Sequence, residues 1–347
     1  MERFIKTLDD QLWKKAVEQS DEKDIYYTPD YFRLSEKQEE GKGCAFYFEN
    51  QYGAVLYPFL LRNLKSLSNE FTDWYDITTP YGYGGPLIVE EKDRGKLLES
   101  FRQSFHAFCS REQIVSEFIR FHPVYRNHEG LKNWLDLAVK GKTVGLDVSH
   151  QADIWANMTG KNRNMVRKAM KQGVTVREAN PENMEDFKAF NVLYTRTMQR
   201  ANAKDFYYFN DAFFRHLTEE MGDQVKMFIA EHEGTPVAAS LFLVGETMIH
   251  YHLSGMDERH ANLAANNLLL YEAALWAQRN HKEIFHLGGG YGGGDDTLFK
   301  FKRSFSKIDS HVLDFVLGRY IHDAAVYQRL VETCQSSPSD YFPLYRS

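Results

Sequence analysis

The runs MFIAEH (227–232), TPVAASLFLV (235–244) and TMIHYHLSG (247–255) follow one another with only Glu233-Gly234 and Gly245-Glu246 between them. Alternating, β-branched and aromatic runs joined by such short turns read as an antiparallel meander. NLAANNLLLYEAALWAQRN (262–280) then carries apolar residues at helical spacing. IFHLGGG (284–290) reads as a strand that stops at glycines, and DDTLFKFKRSF (295–305) closes the stretch. Meander, helix, strand and loop make one α/β unit with a mixed, mostly antiparallel sheet flanked by helices.

The rest of the chain has to be fitted around this unit. A length of 347 residues is long for one domain, and 43% hydrophobic content can fill two cores. A net charge of −6 argues against binding duplex nucleic acid by charge alone, although a local basic groove stays open. Cys44, Cys109 and Cys334 share no ligand-like spacing, which fits a reducing compartment better than a disulfide framework. MERFIKTLDDQLWKK (1–15) has no apolar core of signal-peptide length, and no apolar run is long enough to span a bilayer. The expectation is a cytoplasmic protein without a transmembrane segment.

Before residue 150 the reading gives helices over 9–18 and 29–37, a hairpin 44–50/52–63, and a turn-rich stretch leading into a strand over 76–90. A helix over 94–110 and strands 115–123 and 143–149 follow. A similar order then restarts: a short helix 151–158, a basic helix 161–173, a strand at 174–178, helices 181–201 and 211–221, and the opening stretch. A strand 311–318 and a helix 320–334 end the chain. Two domains are therefore expected, residues 1–149 and 150–347, with 309–347 free to pack back onto the first.

Several motifs could carry chemistry. KNRNMVRKAMKQG (161–173) holds five cations and no acid, and Arg163, Arg167 and Lys171 share one helical face. Such a face is either solvated or a surface for phosphates. PYGYGG (80–85) is either a tight turn or a stacking platform built from Tyr81 and Tyr83. GGGYGGG (288–294), with Gly289 and Tyr291, lies at a strand end, where backbone amides can approach a ligand. It is neither a Walker A loop nor a dinucleotide fingerprint. Asp295-Asp296 suits a helix cap better than a metal site. Lys300 and Lys302 would share a face in an extended chain but not in a helix. His250 and His252 would share a strand face opposite Tyr251, with no third ligand in view for a metal. No nucleophile elbow and no cysteine in a nucleophile context is present.

Taken in order, PYGYGGPL (80–87), FIRFHP (118–123), KNRNMVRKAMKQGV (161–174), YTRTMQR (194–200) with FYYF (206–209), YHLSG (251–255), and HLGGG (286–290) with LFKFKRSF (298–305) resemble the FemABX-type aminoacyltransferases, which carry two tandem GNAT-like domains. The resemblance covers nearly the whole chain. It implies transfer of an activated acyl or aminoacyl group to an amine of a cell-wall or polysaccharide precursor. It also implies substrate contacts from the interdomain cleft. By this resemblance Lys302 is the lysine near the reacting centre, with His252 a candidate base. Arg200 is a diphosphate-binding arginine, and Tyr81 or Tyr83, Tyr208 and His252 line the cleft. Arg163, Arg167, Gly289, Tyr291 and Lys300 complete the substrate-binding candidates. No tightly bound cofactor and no metal is implied. The donor is acetyl-CoA or aminoacyl-tRNA, the acceptor a small or nucleotide-linked glycopeptide or glycan, and peripheral membrane contact is compatible. The loop that would cradle the CoA pyrophosphate reads RHANLA (259–264), with Asn262 where a glycine is usual. That departure points away from acetyl-CoA, and no coiled-coil insertion of the tRNA-handling branch is present. The alternative function is a catalytically inactive GNAT-like module that holds a nucleotide-sugar or glycan intermediate.

Overall fold

The computed structural model describes the chain except residues 182, 204–207, 210 and 338, and of 211, 212 and 292 the backbone alone. The chain forms two compact units, residues 1–140 with 314–347 and residues 141–313. The sequence reading divided it at 149/150; these units divide at 140/141, and the segment after 313 belongs with the first. Elements are numbered in chain order.

The first unit holds β1 (Glu2–Ile5), β2 (Lys42–Asn50), β3 (Gly53–Asn63), β4 (Tyr75–Thr78), β5 (Leu87–Glu91), β6 (Ile114–Arg120) and most of β13 (Val312–Ile321). Their order is β1-β2-β3-β4-β6-β13, with β5 also on β3. Pairing is antiparallel except between β4 and β6. Helices α1 (Gln11–Gln19), α2 (Pro29–Glu36), α3 (Arg94–Arg111) and α10 (Ala324–Thr333) cover the sheet. Thr28 caps α2 through its side chain, with Pro29 at the first helical position, as its sequence predicts. Phe101, Phe105 and Phe108 recur along one stripe of α3 and pack on Phe46 and Phe59, all fully buried. Each such ring contributes roughly 1.5–3 kcal/mol of burial.

The second unit holds β8 (Thr175–Ala179), β9 (Val225–His232), β10 (Thr235–Val244), β11 (Met248–Met256), β12 (Ile284–Gly289) and most of β7 (Asp136–Asp147). Their order is β7-β12-β11-β10-β9-β8, antiparallel except between β11 and β12. The opening meander thus forms as read, and Glu233 and Gly234 both take positive φ in its first turn. Helices α4 (Ile154–Asn157), α5 (Gly160–Lys171), α6 (Met184–Arg200), α7 (Asp211–Met221), α8 (Ala265–Arg279) and α9 (Thr297–Arg303) flank the sheet. The expected start of α6 at Pro181-Glu182 gives way to Asn183, whose carboxamide accepts from the amides of Glu185 and Asp186; Glu182 itself lies outside the described residues.

The two units repeat one plan. In each, a meander is followed by a long crossover helix and a strand that pairs in parallel with the meander's last strand: β4 and β6 around α3 in the first, where β5 intervenes and folds back onto β3, and β11 and β12 around α8 in the second. The last strand of each plan is exchanged. β7 follows β6 in sequence but pairs with β12, while β13 follows β12 and pairs with β6.

Candidate active site

In the second unit, β11 and β12 pair only over Met248–His250 and Ile284–His286, although β11 runs on to Met256. The strands part beyond that point, leaving a notch at the carboxyl end of the parallel pair. An irregularity in β11 shapes it: Phe242 lies opposite Tyr251 while Leu241 lies opposite Leu253, so His252 is the extra residue of a bulge. The alternation expected for His250, Tyr251 and His252 therefore breaks at this point. Opposed residues share a face, which puts Tyr251 with Phe242 and Ser254 with Ser240, three residues apart on one side. Ser240 donates to Ser254 at 3.0 Å, and burial raises the pKa of the Tyr251 hydroxyl beside them, with the two serines offsetting the shift in part.

Lys302 reaches this face from α9. Asp296 caps that helix, accepting from the Phe299 amide at 2.8 Å and, through its other oxygen, from the Tyr291 amide. The cap makes 297–303 helical rather than extended, so Lys300 and Lys302 point apart. Lys302 is buried; its Nζ donates to the carbonyl oxygen of Gly289 at 2.7 Å and lies 5.5 Å from the Tyr251 ring centre. Burial lowers its pKa to about 8, with Asp296 offsetting the shift in part. Lys300 is exposed and 3.8 Å from Asp295. Tyr291 is exposed in the glycine loop, where Gly288 and Gly293 take positive φ.

His250 is buried against His286, whose Nε2 lies 3.0 Å from the Thr143 hydroxyl. Burial, with His250 beside it, lowers the pKa of His252 to about 4. His252 is therefore neutral at physiological pH and a weak proton acceptor.

The segment ahead of α8 forms a 3₁₀ turn, Glu258–Leu263. Asn262 lies within that turn, and Ala264 takes the left-handed conformation, at φ 56°. Asp257 is buried and ionised, held well below the usual carboxylate range chiefly by hydrogen bonds from Arg259. The end of α6 meets the same turn, with Arg196 3.9 Å from Asp257 and Arg200 3.7 Å from Glu258.

Other candidates sit elsewhere. Arg163 spends its guanidinium on the carbonyls of Trp155, Ala156 and Met158, at the end of α4. Arg167 lies over the Trp155 ring at 4.9 Å. The exposed cations of α5 are Lys161, Arg167, Lys168 and Lys171. In the first unit, the Tyr81 amide donates to Glu39 at 2.7 Å, and Tyr83 packs edge-on against Tyr26 and Phe315. Gly82 is required between them: its φ is 104°, and a Cβ would stand 2.4 Å from the Tyr26 ring. Tyr208 is exposed, and its neighbours Phe206 and Tyr207 lie outside the described residues. Sequence reasoning missed the pairing of Tyr251 with the serines and the contact of Lys302 with Gly289. The bulge that creates the first carries no glycine or proline signature.

Residues 160–303 match the family model described as "Acetyltransferase (GNAT) domain". The crystal structure of FemX aligns at a TM-score of 0.70 with 12% identity, covering 95% of this chain and 99% of that one. The structure of L-PGS from Bacillus licheniformis aligns at 0.55, with 13% identity over 94% and 97% of the two chains. A tandem GNAT protein from the clavulanic acid biosynthesis pathway aligns at 0.53, with 8% identity over 93% and 99%. No curated protein matches the sequence. The fold is that of the tandem GNAT proteins. Among these structures FemX shares the fold over nearly the whole of both chains.

Proposed function

We propose that this protein is an N-acyltransferase that moves an aminoacyl group from an ester donor to an amine of a nucleotide-linked cell-wall or polysaccharide precursor. The observation that carries this reading is Lys302, a buried amine held by Gly289 beside the notch where β11 and β12 part. The amine attacks the donor carbonyl, the carbonyl oxygen gains negative charge, the ester C–O bond breaks, and the attacking nitrogen loses a proton. A lysine cation in a low-dielectric notch stabilises that oxygen, and removing one such donor costs about 10²–10³ in rate. Orientation of the two substrates supplies much of the remainder, so no covalent nucleophile is needed.

The sealed turn before α8 favours a donor other than acetyl-CoA. A pyrophosphate cradle needs free amides and no fixed anion. Here the Arg259 amide goes to the Asp257 carboxylate and the His260 amide to the Asp257 carbonyl, each at 3.0 Å. The same feature suits the second reading, a GNAT-like module that has lost donor chemistry and only holds a glycan intermediate. Transfer of labelled amino acid from aminoacyl-tRNA to UDP-linked acceptors tests both. Turnover by the wild type that falls at least about 10²-fold in Lys302→Met supports transfer. Turnover unchanged in that variant would sink the role of Lys302; binding of acceptor with no turnover would favour the holding module.

A further inference from the structure

His106 lies on the exposed side of α3, and His322 follows the last residue of β13. The residues are 216 apart in sequence, yet their Nδ1 atoms stand 3.3 Å apart. The Nε2 of His322 faces the Glu117 carboxylate at 3.6 Å. Glu117 is fully buried and fixed by Arg102 Nη2 at 2.6 Å and the Tyr57 hydroxyl at 3.3 Å. His322 Nε2 is buried and makes no hydrogen bond, so Glu117 acts on it by charge alone: a negative charge near Nε2 favours the neutral tautomer protonated there, which leaves the Nδ1 lone pair directed at His106. Histidine ligands of metals commonly carry such a carboxylate on their second nitrogen. Two imidazole nitrogens at about 2.0–2.1 Å from one tetrahedral zinc stand roughly 3.3–3.4 Å apart. The observed separation already meets that span.

We propose that His106 and His322 form a site for a divalent transition-metal ion of the zinc type, bound through both Nδ1 atoms, with the charge of Glu117 favouring the His322 tautomer that this needs. Imidazole donors select zinc, copper and nickel over calcium or magnesium. The remaining positions on the ion go to water or an added ligand. On binding, the Nδ1 proton of His106 moves to its own Nε2, and nothing changes oxidation state. Arg102 adds no net charge beside the ion, because Glu117 neutralises it. The ion joins α3 to the tail segment that supplies β13 and α10, so it clips two distant parts of the first unit together.

The test is calorimetric titration of the full chain with ZnCl2, beside thermal melts with and without zinc. His106 is exposed, so His106→Ala folds; His322→Gln is the second variant. The wild type is expected to bind one more zinc than either variant, or to bind it at least about tenfold more tightly, and to melt higher with zinc than they do. Equal zinc affinity and stoichiometry in wild type and His106→Ala, or no binding by the wild type, would overturn the proposal.

Discussion

Arg259 grips Asp257 with two nitrogens, Nε at 3.0 Å from one carboxylate oxygen and Nη2 at 2.6 Å from the other. This pair closes the turn in which a pyrophosphate would otherwise be cradled. Calorimetry with acetyl-CoA is therefore expected to give a Kd weaker than about 1 mM. A micromolar Kd would show that the turn opens and that the donor argument is wrong.

Lys302 makes stability depend on pH. Its folded pKa of about 8 lies below the value of about 10.4 in an unfolded chain. Between these values the unfolded state binds more protons, so stability rises with pH from about 8 to 10.4 and carries its full penalty below 8. That penalty is of the order of 3 kcal/mol. Loss of the hydrogen bond to Gly289 offsets part of the gain when the charge is removed. Lys302→Met is expected to be stabilised by about 1–3 kcal/mol at pH 7, with the gain shrinking towards pH 10. Thermal melts at the two pH values check this, and an equal difference at both would refute it.

Gly255 lets α6 lie directly on β11, since a Cβ there would stand 2.3 Å from the backbone of Leu193 and Tyr194. Backbone cannot swing aside as a side chain can. Gly255→Ala is expected to cost about 1–3 kcal/mol in denaturant unfolding. Gly160→Ala, where nothing lies within 4 Å of the added carbon, is expected to be neutral or slightly stabilising.

The Arg102–Glu117 pair, at 2.6 Å and 2% and 0% side-chain exposure, is a buried ion pair of the first unit. Glu117→Ala leaves a buried guanidinium unmatched and is expected to cost about 3–5 kcal/mol. Replacing both partners by leucine should recover most of that loss. A double variant as unstable as the single one would mean that the packing around the pair, not its charge, dominates.

Arg163→Ala is expected to destabilise the second unit by about 1.5–3 kcal/mol, because a charged donor to three carbonyls is removed. Lys168→Ala, which changes only an exposed side chain, is expected to stay within about 0.5 kcal/mol. Equal effects in urea titrations would return Arg163 to the solvated face that its spacing suggests.

That arginine shows where sequence reading stops. The meander and the crossover helix follow from local patterns of apolar spacing and turn residues, and they form as read. What Arg163 does depends on where α4 ends, and what Lys302 does depends on Asp296 turning 297–303 into a helix. His252 reads as a strand residue facing with His250, because nothing local announces a bulge. Arg102 falls by spacing on the apolar face of α3, with Leu98 and Phe105, and nothing local names Glu117 as its partner. In each case a tertiary partner decides the role.

The exchange of closing strands has a consequence for how the chain is made. β7 has emerged from the ribosome long before β12, the strand it borders, and β6 waits for β13 until nearly the last residues are synthesised. A nascent first repeat therefore presents one bare sheet edge throughout synthesis of the second, a template for wrong pairing. Severing the gene at the midpoint would give two fragments that each lack their own last strand and carry the other's. The fragments should be soluble only when produced together, and the repeats are committed to a common fate from translation onwards.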